Sequence, residues 1–182
     1  MIDKGSYIGA HIISGNVFQP TALNELIPDW KDKEAPLHTE VTSDEFMFLR
    51  NETSAIKVPH IFMPKSIDNH GNYIISLSEL TMWLGEQAEE LGVEILTGFA
   101  GNETIFDEKG ERVVGVRTGD MGIAKDGTMK DSFEPGVEIL AKQTIFAEGA
   151  RGSLTERLKD KFNLEKDCKG VQHYGIGLKE VW

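Results

Sequence analysis

Residues 143–158 read QTIFAEGARGSLTERL. A short apolar run, TIFA, meets the turn-forming EGARG, and SLTERL then begins like a helix. Strand, glycine turn and helix start is how α/β proteins hold a phosphate or the edge of a nucleotide: glycine lets backbone come close, and the helix start offers unpaired N–H groups. Yet this turn falls late in a chain of 182 residues, and no G-x-G-x-x-G precedes it. A nucleotide-type turn stands here without the nucleotide fingerprint.

Residues 137–147 read as one long strand running into that turn, and 153–162 as the helix that leaves it. Further upstream, Tyr73-Ile74-Ile75 reads as a strand. Ser76-Leu77-Ser78-Glu79 then forms a capping box, in which the Ser76 hydroxyl takes a backbone N–H and Glu79 reaches back. Leu77, Leu80, Leu84, Ala88 and Leu91 follow at helical spacing, and Gly92 is a natural stop. Residues 93–99 (VEILTGF) predict a strand entering a core. Residues 103–107 and 112–118 predict two strands joined by EKGE, a hairpin signal. Residues 120–131 read as a polar excursion with a second turn at Lys125-Asp126-Gly127. The first 70 residues read as irregular, because Pro20, Pro28, Pro36, Pro59 and Pro64 exclude long helices. One short helix is predicted over 20–27, with Leu23, Leu26, Ile27 and Trp30 on one face.

Composition narrows the function classes. The chain is 40% hydrophobic and 27% charged, ordinary for a globular protein, and carries a net charge of -11. No basic stripe offsets the acid, which argues against a nucleic-acid partner. No apolar run reaches the length of about 18 residues that spans a bilayer, and the N-terminal residues lack the features of a signal peptide. The single cysteine, Cys168, permits neither an intrachain disulfide nor a four-cysteine iron–sulfur site within these residues. No Ser/His/Asp set, carboxylate pair at helical spacing or metal-ligand spacing emerges, so no catalytic side chain and no metal ligand is assigned.

Seven blocks carry a family resemblance: GAHIISG (9–15), ELIPDWK (25–31), APLHTEVTSDEF (35–46), NHGNYIISLSEL (69–80), GEQAEELGVEI (85–95), TIFAEGARG (144–152) and YGIGLKEVW (174–182). Their residues and order over nearly the whole chain resemble the electron transfer flavoprotein–ubiquinone oxidoreductase family, built on a glutathione-reductase-type FAD fold. The resemblance implies an α/β fold: a partial FAD-binding domain with a parallel sheet and an inserted antiparallel sheet, plus part of a quinone-binding α+β domain. By this resemblance, 1–70 combine a partial FAD-binding segment with an irregular region near quinone and membrane. Residues 71–165 hold the FAD-domain helix, inserted strands and late glycine turn, and 166–182 begin a truncated quinone-binding domain. The family's G-x-G-x-x-G turn lies just before the point corresponding to Met1, so the chain is expected to be an internal piece. The activity expected of the intact family member is FAD-dependent passage of electrons from reduced electron transfer flavoprotein to ubiquinone, at the bacterial cytoplasmic or mitochondrial inner membrane, with this piece expected to be inactive alone. The intact family also carries a [4Fe–4S] cluster, whose cysteine ligands are absent here. The different enzyme reading is a related FAD reductase or monooxygenase acting on a lipid; the non-enzyme reading is an FAD-fold remnant that binds no flavin.

The same resemblance assigns the site. Asp3, at the end of what resembles the second strand of a dinucleotide fold, is the acid for the adenosine ribose; without the resemblance, Asp-Lys-Gly is simply a turn. Ala100 corresponds to a backbone contact with the adenine edge. Ala147 and Gly149 belong to the returning glycine turn; Gly149 and Gly152 are both read as shaping it, since glycine tolerates positive φ, and Glu148 is expected to accept from backbone or hydroxyl groups, since a carboxylate beside a pyrophosphate is repelled. Gly9, Ala10, His11, Ser14 and Gly15 form a small-residue segment expected near the isoalloxazine ring and the quinone path; a buried, satisfied histidine is the competing reading of His11. Ser76 departs from the family, where relatives often carry Arg at this helix start. Phe18, Leu23, Leu26, Ile27 and Trp30 fit either a core or a shallow membrane-dipping surface.

Overall fold

The computed structural model describes residues 1–178 and 180. The chain folds as two compact units, one formed by Met1–Ser6 with Ile95–Trp182 and the other by Tyr7–Glu94. It is a mixed α/β protein of several small sheets and few helices.

In the first unit, β1 (Ile2–Asp3) pairs in parallel with β7 (Leu96–Thr97), with Asp3 opposite Thr97. The strand expected over 93–99 is thus only two residues long, because its partner is only two residues long. The strands β8 (Gly101–Phe106), β9 (Val113–Thr118) and β12 (Glu138–Leu140) form an antiparallel sheet in the order β12-β9-β8. The EKGE turn closes the β8–β9 hairpin, with Gly110 at φ +69. A separate hairpin, β10 (Met121–Ile123) with β11 (Met129–Glu134), occupies the stretch read as a polar excursion. Helix α3 (Ser153–Phe162) buries Leu154 and Leu158. A Cβ at Gly101 would stand 3.1 Å from both Leu154 Cδ1 and Val116 Cγ1, so α3 seats directly on the sheet there.

The long strand expected over 137–147 ends at Leu140. The bond from Ala141 N–H to Val114 O is its last ladder contact, and residues 144–147 carry no strand pairing, with Ile145 85% exposed. An apolar run supplies propensity, but a strand exists only where a neighbour accepts its N–H groups. The 174–182 block, YGIGLKEVW, reads from its sequence as the start of a strand; residues 174–178 carry no regular structure, and Lys179, Val181 and Trp182 lie outside the described residues.

In the second unit, β2 (Gly15–Phe18), β6 (Tyr73–Ser76) and β3 (Thr39–Glu40) form an antiparallel sheet in the order β2-β6-β3. Helix α2 (Leu77–Glu90) starts where the capping box places it: the Ser76 hydroxyl accepts from Glu79 N–H, and Gly92 at φ +88 ends the helix region. Helix α1 (Thr21–Leu26) contributes Leu23 to a core of Trp30, Ala35, Leu37, Ile75, Leu80 and Trp83. The two core tryptophans anchor irregular chain: Trp30 Nε1–H donates to Asn24 and Trp83 Nε1–H to the Lys33 carbonyl, while Trp30 meets Tyr73 edge-on at 5.7 Å. Leu26, expected on the same face, is instead 73% exposed. The first 70 residues also hold a hairpin the sequence reading missed, β4 (Phe46–Asn51) with β5 (Ser54–Val58), followed by short 3-10 turns at His60–Phe62 and Lys65–Ile67.

Candidate functional site

Glu148 organises the late glycine turn. One carboxylate oxygen accepts from the Thr155 amide and hydroxyl, both at 2.7 Å, and the other from the Leu154 amide at 3.2 Å. These are the first-turn N–H groups of α3, which have no intrahelical partner. Partial burial pushes the Glu148 carboxyl up. The Thr155 hydroxyl and amide, the Leu154 amide and the charge of Lys4 outweigh it, so the group titrates below the usual range. The expectation that Glu148 accepts from backbone and hydroxyl groups agrees with this geometry.

The two glycines of the turn differ. Gly149 has φ +83, and among the described residues nothing lies within 4 Å of where its Cβ would stand. Gly152 is the residue before α3, with φ -63, and its Cβ would come 2.3 Å from Glu148 Cβ and 2.6 Å from Glu148 Oε2. Gly149 is thus required by conformation, and Gly152 by space. The sequence does not assign Gly152 to the cofactor site but reads it, with Gly149, as shaping the turn through positive φ; its φ of -63 is ordinary, and what requires glycine there is the Glu148 side chain folded against it.

Asp3 and Ala100 come together within the first unit. Asp3 Oδ1 accepts from the Gly5 amide at 2.6 Å, which closes the Asp-Lys-Gly turn. The Asp3 carbonyl accepts from Phe99 N–H and the Gly5 carbonyl from Gly98 N–H, fixing the loop that leads into Ala100. Ala100 is exposed, and its carbonyl accepts from Gly119 N–H. Ala147 is exposed ahead of the Glu148 turn.

The small-residue segment belongs to the second unit. Gly9 has φ +86, and a Cβ there would lie 2.7 Å from the Ser78 carbonyl oxygen. The Ser78 hydroxyl donates to the Gly9 carbonyl at 2.8 Å, and Leu77 N–H donates to the Ser14 carbonyl. Gly15 opens β2 opposite Ser76. The segment is pinned to the start of α2, with His11 exposed, which removes the buried reading of that residue. Ser76 itself is occupied as a helix cap.

The second unit also presents an apolar surface on the β4–β5 hairpin and the 3-10 turn after it. Phe48 is 63% exposed, Leu49 73%, Ile61 86% and Phe62 77%. Phe46, Met47 and Ile56 are exposed as well, so both faces of the ribbon are apolar and uncovered. Most of the residues offered as a membrane-dipping surface lie elsewhere: Leu23 and Trp30 are buried in the core, with Phe18 and Ile27 packed against it. At the base of the 45–68 excursion, Asp44 accepts from both the amide and the side chain of Asn69 and pairs with His60, and Asp68 pairs with His70. The hydrogen bond to Asp68 and its charge raise the His70 pKa, and the same bonds lower that of Asp68. Among the described residues, no group of three His, Cys, Asp or Glu side chains is placed to hold a metal ion, and no helix is long and apolar enough to cross a membrane.

Comparison with known proteins shows similarity to proteins named as oxidoreductases. It is 52% identical over 183 residues to the electron transfer flavoprotein–ubiquinone oxidoreductase of Pseudomonas aeruginosa, a match that takes in all of this chain and 33% of that protein. The mitochondrial proteins of the same name from Dictyostelium discoideum and Bos taurus match all of the chain at 52% and 50% identity, over 29% of their own lengths. The chain is therefore homologous along its entire length to the electron transfer flavoprotein–ubiquinone oxidoreductase family, and it spans about a third of the length of the relatives it matches. No family model matches it.

Proposed function

We propose that this protein serves FAD-dependent electron transfer from reduced electron transfer flavoprotein to ubiquinone. The observation that carries the reading is identity near half along the whole chain to proteins bearing that name. The structure supports the FAD part at two places. Gly149 has left-handed backbone with open space where a side chain would be, as close approach by a cofactor requires. Asp3 uses only one carboxylate oxygen on the Gly5 amide, which leaves the other available for a ribose hydroxyl.

On this reading Asp3, Ala100, Ala147 and Gly149 bind the nucleotide portion, and Gly9, His11, Ser14 and Gly15 line the flavin and quinone portion. The domain roles follow: 1–70 as FAD segment and quinone-proximal region, 71–165 as FAD-domain body, 166–182 as the start of the quinone-binding domain. Bound FAD would supply the redox chemistry. The chain's own groups bind and orient: Asp3 accepts from ribose, the Gly149 turn admits the cofactor to backbone distance, and the small residues of 9–15 leave room for a planar ring. A [4Fe–4S] cluster does not fit the residues present, since Cys168 is the single cysteine and four thiolates are needed; no step is derived through it. The exposed β4–β5 ribbon supports a peripheral membrane location: a ribbon apolar on both faces is poorly matched to water and well matched to the headgroup boundary, where a long-tailed quinone is reached.

The test is a protein of full family length carrying this segment. It should purify with flavin absorbance and reduce a ubiquinone analogue when supplied with reduced electron transfer flavoprotein. A colourless, folded product overturns the reading.

A further inference from the structure

The start of α3 resembles a site for a phosphate, but its anion is already in place. The amides of Leu154 and Thr155, which an incoming phosphate would use, both donate to Glu148, and the Thr155 hydroxyl donates there too. The side chain reaches across the turn from its first residue to the helix it precedes, and it occupies the space that any Cβ on residue 152 would need. Glu148 and Gly152 are a mated pair.

We infer that Glu148 is a positioning residue that fills the anion-binding end of α3 from within, so that the 148–152 turn excludes phosphate and offers a ligand only the neutral backbone of its glycine-containing crest. A helix start carries partial positive charge and orphan N–H groups. With the carboxylate in place both are satisfied, and a second anion would meet like charge at hydrogen-bond range. Phosphate groups of a nucleotide are thereby directed away from this helix, while ribose or ring atoms, which carry no charge, are accepted at Gly149. The link to a nucleotide rests on the flavin reading above; the exclusion of phosphate does not.

The two are separated by an experiment on the whole chain without flavin. Inorganic phosphate is titrated while the amide resonances of Leu154 and Thr155 are followed, in the unaltered chain, Glu148→Gln and Glu148→Ala. The unaltered chain should show no saturable shift. Glu148→Ala should show one at both amides, with amide exchange there quickened by about tenfold or more as the capping bonds are lost. Glu148→Gln, which keeps one acceptor but no charge, should fall between them. A shift of equal size in all three proteins, or none in Glu148→Ala with Gln and Ala alike, overturns the inference. If Glu148→Ala does not fold, Glu148→Gln decides alone: it must exchange faster at Thr155 and respond to phosphate more than the unaltered chain. Flavin content of a full-length Glu148→Gln protein is read separately, and its failure would bear on the flavin reading only.

Discussion

The 148–152 turn contains two glycines that should fail for different reasons, and the difference can be measured. In Gly152→Ala, the new Cβ would stand 2.3 Å from Glu148 Cβ, an atom fixed to the backbone and not free to swing aside. The turn must shift, and Glu148 must leave the Leu154 and Thr155 amides. Loss of such a cap costs about 0.5–2 kcal/mol, and the overpacking adds about 1–3 kcal/mol. Gly149→Ala meets nothing within 4 Å and bears only the strain of φ +83, about 1–2 kcal/mol. Gly152→Ala should therefore be the more destabilising by about 1–2 kcal/mol or more, although residue 149 has the unusual backbone and residue 152 an ordinary one. Urea unfolding followed by circular dichroism reads this directly. At about 2 kcal/mol per molar, the midpoint for Gly152→Ala should fall roughly 1 M or more below that of the unaltered chain. The double variant Glu148→Ala/Gly152→Ala should destabilise by less than the sum of its parts, because the cap is lost only once. Additivity within about 0.5 kcal/mol, or a Gly149→Ala variant as unstable as Gly152→Ala, would refute the pairing of Glu148 with Gly152.

Other expectations follow from the same geometry. In a protein of full family length, Gly149→Val should lower FAD content per folded molecule further than its apo stability accounts for; equal flavin in Val, Ala and Gly forms removes the turn from the cofactor site. Asp3→Ala should weaken FAD retention by about 1.5–3 kcal/mol while Asp3→Asn, which keeps an acceptor, loses less, and unchanged retention in both discards the ribose role. Glu148 is a carboxylate with a depressed folded pKa, so its contribution to stability is complete above its ordinary value near 4.5 and disappears as pH falls through the folded value; Glu148→Gln should flatten the stability profile in that acid window. Replacing Phe48 and Leu49 by Ser should abolish sedimentation with uncharged phosphatidylcholine vesicles, and retention of full vesicle binding would place the membrane surface elsewhere.

The sequence carried most information where local chemistry alone decides the outcome. Ser76 marks a helix start through the hydrogen bond its hydroxyl accepts from Glu79 N–H three residues on, and α2 begins there. Gly92 and Gly110 adopt the positive φ that their turn positions imply. Ser153 to Phe162 form a helix because Leu154 and Leu158 lie one turn apart and both find a sheet to cover. Strand length was less legible, since it is set by the neighbour: β7 is two residues long to match β1, and Ile145 has the right propensity but no ladder. The β4–β5 hairpin was hidden for another reason. Both its faces are apolar, so the period-two alternation that betrays a half-buried strand is missing, and five prolines dispersed over the first 64 residues suggested irregular chain throughout.

The site was legible to the same degree and for the same reason. The conformational demand at Gly149 is written in residue type, because only glycine adopts φ +83 without strain, but the demand at Gly152 arises from a side chain four residues earlier folding back on it. A resemblance to a family names both residues and explains neither. The structure also separates the readings of the apolar residues that sequence left open. Leu23 and Trp30 belong to the core because they cluster with Ile75, Leu80 and Trp83, with Trp30 edge-on to Tyr73 of β6, whereas Phe48 and Leu49 are exposed on the β4–β5 ribbon. In both cases sequence reported which residues were unusual, and the reason lay in what each one touches or fails to touch. The sharpest separation of local from non-local causes is therefore the comparison of Gly149→Ala with Gly152→Ala: residue type predicts that the first is the worse substitution, and packing predicts the second.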